Sequence, residues 1–254
     1  FVGAIGDEPV YLEQRNRELL VRGGSPALIR HYFALDHSLG QICAALPDDP
    51  PMQAAREYCR GLRIIRQPLW ECLATFITSS MKQVAHIRQI SRALRERFGE
   101  RMTAAGADVY AFPGAARLAS VTEQELRECA LGYRAKNLLL TAQRVASGRA
   151  DLECWRQSSD DELRARLCDL PGVGAKVANC VMLFAYERLR AFPIDGWIER
   201  VLKERYFARK RKVTPQKLRA FCESYFGEHG GYAQQYLFHH ARMTMKRGRR
   251  NAPA

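Results

Sequence analysis

The chain has 254 residues, and its 40 Lys and Arg against 27 Asp and Glu leave a net charge of +13. With 47% hydrophobic and 26% charged residues it has the composition of a folded globular protein, which excludes disorder, collagen-like repeats and a purely electrostatic tail. No apolar run approaches the roughly eighteen residues of a membrane-spanning helix and no secretory signal is visible, so an intracellular protein is expected.

The chain opens on Phe1 rather than Met, and a preceding stretch is expected to be missing. Within residues 8–23, Glu8-Pro-Val-Tyr-Leu-Glu-Gln and Glu18-Leu-Leu-Val-Arg-Gly predict two short strands around Arg15-Asn16-Arg17, closed by Gly23-Gly24. A lone two-stranded hairpin is marginal in water, so these strands should complete a larger sheet or pack on helices. Everything after about residue 27 reads as helix, about ten in all, from periodicity and cap signals. Val84, Ile87, Ile90, Leu94 and Phe98 mark one helix over 82–98, with Gly99 as its stop. Thr122 with Glu125 and Ser159 with Glu162 form capping boxes, and Thr214-Pro215 opens a further helix. The fold class is therefore mainly α with a small antiparallel β appendage. Residues 1–27 are read as the remnant of an N-terminal β domain, and 28–254 as a helical region holding a helical hairpin at about 160–188.

Eight cysteines, at 43, 59, 72, 129, 154, 168, 180 and 222, include no CxxC pair. Neither a zinc site nor a disulfide framework is signalled, and no metal or cofactor is expected.

The most informative stretch is Leu167-Cys-Asp-Leu-Pro-Gly-Val-Gly-Ala-Lys-Val-Ala-Asn-Cys180, in which one helix ends, a Pro-Gly-x-Gly turn follows and an amphipathic helix starts. Gly172 and Gly174, flanking Val173, let the backbone reach positive φ and let an anion approach unpaired helix N–H groups at the positive dipole end. A tight helical hairpin without a ligand is the plain alternative. The Walker spacing is absent, and a dinucleotide fold would need a preceding strand, so gripping of a nucleic-acid backbone is the surviving use. Lys176 lies in the first turn, where the dipole favours its neutral, nucleophilic amine; a solvated lysine or a phosphate contact is the competing reading. Cys180, one turn on, would by itself be a small core hydrophobe. In Phe192-Pro-Ile-Asp-Gly-Trp197, Asp195 is the natural N-cap of the next helix, and capping would also hold a carboxylate ionised and fixed.

LPGVGAK followed after a helix by FPID resembles the helix-hairpin-helix Gly/Pro-Asp DNA glycosylases, and the lysine resembles their bifunctional, 8-oxoguanine-excising branch. Arg66-Gln67-Pro68, Glu71-Cys72-Leu73, Phe76-Ile77 and Ser79-Ser80, then Leu131-Gly-Tyr-Arg-Ala-Lys136 and Tyr232-Ala-Gln-Gln-Tyr-Leu-Phe238, extend the likeness over about residues 28–245. The resemblance implies a monomeric base-excision-repair enzyme acting on duplex DNA by base flipping. Lys176 would attack the sugar C1′, displace the damaged base and form a Schiff base, with strand scission by β-elimination to follow. Asp195 would stabilise the cationic sugar and help activate the lysine. Cys180 and Phe238 would lie on opposite faces of the extruded base and Gln234 would bond its Watson–Crick edge. Tyr133 would be the wedge left in the duplex, and Arg134 one of two arginines that read the orphan cytosine.

Three departures accompany the likeness. The family's Asn-Asn pair after Ser-Ser is Met81-Lys82, its second cytosine-reading arginine is His86, and a histidine after the catalytic Asp is Trp197. The first two fall where the orphan base is met, so opposite-base preference is not set by the resemblance. An early strand whose glycine carbonyl senses the lesion in the family would belong to the missing stretch. Basic residues crowd at Lys203, Arg205, Arg209, Lys210, Arg211 and Lys212, and again at Arg242, Lys246, Arg247, Arg249 and Arg250; they read as nucleic-acid contacts or as a solvated face and tail. A DNA-associated protein, bacterial rather than nuclear, is expected. Two rivals remain at this level: a non-catalytic module that grips DNA backbone, and a glycosylase for another damaged base.

Overall fold

A computed structural model describes residues 1–16, 18–80, 83–207 and 213–244. These hold thirteen α-helices and five short strands, and the chain divides into two compact units: Phe1–Asp36 with Ile65–Arg188, and His37–Ile64 with Leu189–Ala254. Among the described residues no helix is long and apolar enough to cross a membrane.

The first unit opens with an antiparallel sheet of β1 (Val2–Ile5), β2 (Glu8–Arg15) and β3 (Glu18–Arg22), in that order. Alternation along β2 buries Val10 and Leu12, which join Ile5 and, from α1 (Pro26–Tyr32), Ile29 in one apolar cluster. Packing on α1 is thus what completes the N-terminal strands, and β1 is a third strand beyond the two predicted. A second departure lies at 101–110, which the sequence reading made helical. There β4 (Arg101–Ala104) and β5 (Ala107–Tyr110) pair as a hairpin across Ala105 (φ +50°) and Gly106 (φ +81°). Both turn residues are left-handed, as a type I′ hairpin turn requires; Ala-Gly is a weak version of the Asn-Gly signal, and four-residue strands offer little alternation.

Helices α4 (Leu69–Ser79) and α10 (Ala175–Phe184) pack together as the most apolar pair of this unit, with Cys72, Leu73, Ala74, Ala178, Met182 and Leu183 all buried. Around them stand α5 (Val84–Phe98), α6 (Ala115–Ala119), α7 (Glu123–Leu126), α8 (Arg134–Ala146) and α9 (Asp160–Cys168). Both predicted capping boxes form: Thr122 and Ser159 accept from the backbone N–H groups of Glu125 and Glu162, whose carboxylates reach back to the cap N–H groups. Gly99 follows α5 as predicted but not as a left-handed cap. Its φ is −82°, and a Cβ there would stand 2.1 Å from the Ala111 carbonyl oxygen, so close backbone approach is what demands glycine.

The second unit holds α2 (Leu39–Ala45), α3 (Pro50–Tyr58), α11 (Gly196–Arg205), α12 (Pro215–Tyr225) and α13 (Gly230–Thr244). Helix α13 packs on α3 and α11 and buries Tyr232, Tyr236 and Leu237, and Tyr236 donates to the Leu62 carbonyl at 3.2 Å. Asp49 caps α3 and accepts further bonds from the Tyr206 hydroxyl (3.1 Å) and the Tyr225 hydroxyl (2.9 Å). Thr214 caps α12, with Pro215 at its first position as predicted.

Candidate active site

The hairpin singled out by its glycines is α9, a turn over 169–174, and α10. Helix α8 braces that turn from the side. Thr141 Oγ1 donates to the Pro171 carbonyl at 3.1 Å, and Arg144 Nη1 donates to the Asp169 carbonyl at 2.9 Å and to its carboxylate at 3.1 Å. Val173 is buried, and its N–H is taken by the Leu170 carbonyl at 3.1 Å. Gly172 adopts φ +82°, and a Cβ there would stand 2.8 Å from the Asn137 Cβ, so this position needs glycine on two counts.

Gly174 corrects the expectation that both glycines take positive φ. It is the N-cap of α10 with φ −99° and ψ 178°, the extended backbone that helix N-caps favour. Its service is an absence of bulk: nothing lies within 4 Å of a Cβ built there, and it makes no side-chain cap bond. Helices α9, α11 and α12 by contrast each have a side-chain cap, from Ser159, Asp195 and Thr214. The first-turn N–H groups of α10 have no intrahelical acceptors, and Gly172, Gly174 and Ala175 are exposed. This end of α10 can receive phosphate oxygens without a side chain to displace.

Lys176, half-buried, extends from the first turn of α10 so that its Nζ lies 5.2 Å from the centroid of the Phe76 ring. Phe76, on α4, is itself stacked on Phe184 at 5.6 Å and 18°. The amine therefore rests on a fixed aromatic platform, a relationship the sequence did not disclose. Cys180 is buried one turn along α10. Burial first, then the nearby Cys180 and Glu71, hold the Cys72 thiol well above its ordinary range. Glu71 itself is raised by burial, against the opposing pull of its ion-pair partner Arg95.

At the start of α8, Tyr133 is 58% exposed, the opposite of a core aromatic, while Arg134 beside it is only 5% exposed. The Arg134 guanidinium lies 4.3 Å from the Tyr133 ring centroid, and its Nε donates to the Ser80 carbonyl at 2.8 Å. Ser80 ends α4. Met81 and Lys82, next in the chain, lie outside the described residues, and His86 is exposed in the first turn of α5.

In the second unit Asp195 is the N-cap of α11, accepting from the Ile198 N–H at 2.9 Å. The loop that delivers it is anchored by Phe192, stacked on Phe226 at 5.0 Å. On α13 Gln234 is 3% exposed and its Oε1 accepts from Gln235 Nε2 at 2.5 Å, while Phe238 is half-buried under the Arg242 guanidinium, 5.4 Å from its ring centroid. Of the two basic clusters, Lys203 pairs with Glu199 at 2.6 Å and Arg205 is exposed; Arg209–Lys212 and Lys246–Arg250 fall outside the described residues. The sequence reading missed Phe76 as a partner of Lys176, and it missed the brace formed by Asn137, Thr141 and Arg144. Only the threefold and fourfold spacing of the last three along α8 hints that they share a face.

Comparison with known proteins places the chain in a family. Residues 74–228 match the model of the HhH-GPD superfamily base excision DNA repair proteins, and residues 2–73 match the 8-oxoguanine DNA glycosylase N-terminal domain. The N-glycosylase/DNA lyase OGG1 of Arabidopsis thaliana is 31% identical over 199 residues, 75% of this chain, which spans about half (54%) of that relative's length. Among solved structures, MBOgg1 in complex with a low-affinity DNA ligand superposes with a TM-score of 0.92 at 32% identity, covering 96% of this chain and 86% of that one. The Clostridium acetobutylicum 8-oxoguanine glycosylase/lyase, bound to duplex DNA with cytosine opposite 8-oxoG, gives 0.90 at 31% identity, covering 95% and 84%. On the matched sequence, the hairpin and the shared fold, the chain belongs to the HhH-GPD superfamily of base excision DNA repair proteins and, within it, to the 8-oxoguanine DNA glycosylases, the bifunctional glycosylase/lyase branch.

Proposed function

We propose that this protein, acting as a monomer on duplex DNA, flips out and excises 8-oxoguanine through Lys176 and then cleaves the abasic strand by β-elimination. The observation that carries the reading is the uncapped start of α10 with Lys176 in its first turn and the amine held over Phe76. In this scheme backbone N–H groups at the hairpin receive a DNA phosphate. The neutral Lys176 amine then attacks C1′ and the glycosidic bond breaks, with its electron pair leaving on the base. The resulting lysine adduct opens to a Schiff base, from which loss of a C2′ proton expels the 3′ phosphate.

Asp195, ionised and fixed as a cap, stabilises positive charge on the sugar. Cys180, Phe238 and Gln234 receive the extruded base, and Tyr133 occupies the stack it leaves. By the resemblance, Met81, Lys82 and His86 correspond in sequence to the family's Asn-Asn pair and one arginine that meet the orphan base. Support comes from the motif matches together with the relatives described as glycosylase and lyase.

The test is borohydride trapping on duplexes carrying 8-oxoguanine opposite each of the four bases, with Lys176→Gln as control. Adduct with the unmodified chain and none with Lys176→Gln is expected. DNA binding without adduct on any of them would sink the catalytic reading and leave a binding module; stronger trapping on a different damaged base would reassign the substrate.

A further inference from the structure

In the second unit α3, α11 and the C-terminal half of α13 leave a cleft of about 220 Å³ between them. Leu237, His240, Ala241 and Thr244 line it from α13 at positions i, i+3, i+4 and i+7, the stripe that one helix face presents. Leu237, Ala241 and Val201 of α11 are buried and make an apolar floor, while Ala54 of α3 stands exposed at the side. A space of this size lies below the roughly 300 Å³ at which small-molecule sites begin, and suits about one or two apolar side chains.

The rim of the cleft is positive. Arg205 is exposed and forms no ion pair among the described residues, whereas Arg200 and Lys203 on the same helix pair with Glu204 and Glu199. Burial, and after it Arg205, hold the His240 imidazole below its ordinary range. Asp48 and Asp49, just before α3, are already engaged, by Arg56 and by the Tyr206 and Tyr225 hydroxyls. Beyond Thr244 the sequence adds Lys246, Arg247, Arg249 and Arg250. An apolar floor beside an unpaired cation calls for an apolar side chain flanked by carboxylates. A nucleic-acid backbone would answer the charge and leave the floor unfilled.

We propose that this cleft docks an acidic segment of a partner protein, which seats one bulky aliphatic or aromatic side chain against Val201, Leu237 and Ala241 and sets its carboxylates beside Arg205. The inference does not rest on the excision chemistry proposed above.

The experiment titrates fluorescein-labelled heptapeptides, Asp-Glu-Asp-X-Glu-Asp-Glu with X as Leu, Ile, Phe or Trp, with the full chain and follows polarisation. At least one is expected to bind saturably, about ten-fold more tightly than the peptide with Ser at X and than the peptide with Lys for every acid. Arg205→Ser and Ala54→Glu, both at exposed positions, should each weaken it by about ten-fold. Serine at Lys246, Arg247, Arg249 and Arg250 together should weaken it several-fold. The ring-proton resonances of His240, assigned through His240→Gln, should move as peptide is added. Binding by none of the four peptides, equal binding of the Ser peptide, full affinity in Ala54→Glu or an unmoved His240 would each overturn the proposal. So would three outcomes that give the cleft to another occupant. Displacement of the peptide by an oligothymidylate that moves the same His240 resonances would assign it to nucleic acid. A dimer in sedimentation that Ala54→Glu dissolves would assign it to a second copy of the chain. Tighter peptide binding after the four serine replacements would assign it to the residues beyond Thr244.

Discussion

The Lys176 amine lies 5.2 Å from the centroid of the Phe76 ring, and that ring is fixed by stacking on Phe184. The resting, protonated amine is held over an aromatic face at this distance by about 1 kcal/mol, and packing against the same ring keeps the lysine side chain in one direction once the amine is neutral. Phe76→Leu is therefore expected to slow borohydride trapping by about five-fold with DNA affinity unchanged, and Phe76→Tyr to restore it. Trapping by Phe76→Leu at the unmodified rate would show that the platform is incidental.

Asp195 allows charge to be separated from capping. Asparagine accepts the Ile198 N–H as aspartate does, so Asp195→Asn should keep the melting temperature while slowing single-turnover chemistry by about a hundred-fold. Asp195→Ala should lose the same activity and in addition about 1 kcal/mol of stability. Thermal melts run beside trapping kinetics check both, and full activity in Asp195→Asn would remove the carboxylate from the mechanism.

The two hairpin glycines should respond differently to alanine. Gly172→Ala combines a left-handed backbone with a 2.8 Å approach to Asn137 Cβ, and a loss of about 1–2 kcal/mol is expected. Gly174→Ala meets neither obstacle and should cost less than about 1 kcal/mol. It should nevertheless weaken DNA binding several-fold, because the new methyl group stands at the uncapped helix start. Unchanged affinity in Gly174→Ala would argue that phosphate does not approach there.

Stability should decline in alkali. Burial pushes the Cys222 thiol up to about 12 from an ordinary 9.0, and burial likewise raises Cys72 and the phenols of Tyr186 and Tyr206, the last with help from Asp49. Below pH 9 these groups are protonated in both folded and unfolded chains. Above it the unfolded chain releases protons that the fold retains, so the folded state binds more protons and stability falls as pH rises. Melting temperatures between pH 8 and 11 should fall progressively from about pH 9, and a flat profile would contradict the burial of these groups.

Much of this was legible in the sequence where one residue type has one local use. Ser159 with Glu162, Thr122 with Glu125, Thr214 before Pro215 and Asp195 before α11 were all predicted and all cap their helices. What escaped depends on partners distant in sequence. The 101–110 hairpin was hidden because two four-residue strands carry almost no period. Gly99 was legible as the stop of α5, but its real constraint, the Ala111 carbonyl, comes from another element. Phe76 precedes Lys176 by a hundred residues, and no spacing rule connects them.

Helix α8 begins beside Tyr133 and, eight residues later, donates from Thr141 to the hairpin turn. At about 1.5 Å per residue this is a rigid ruler of about 12 Å between the proposed wedge and the brace of the backbone grip. On DNA that length corresponds to between three and four steps along one strand, at about 3.4 Å each. The reach from the proposed grip to the proposed wedge is thus written into a stretch of helix and not into a loop. Inserting one residue there would move the wedge by about 1.5 Å and swing it by about 100°, so the spacing between these two sites can change only in steps the duplex does not share.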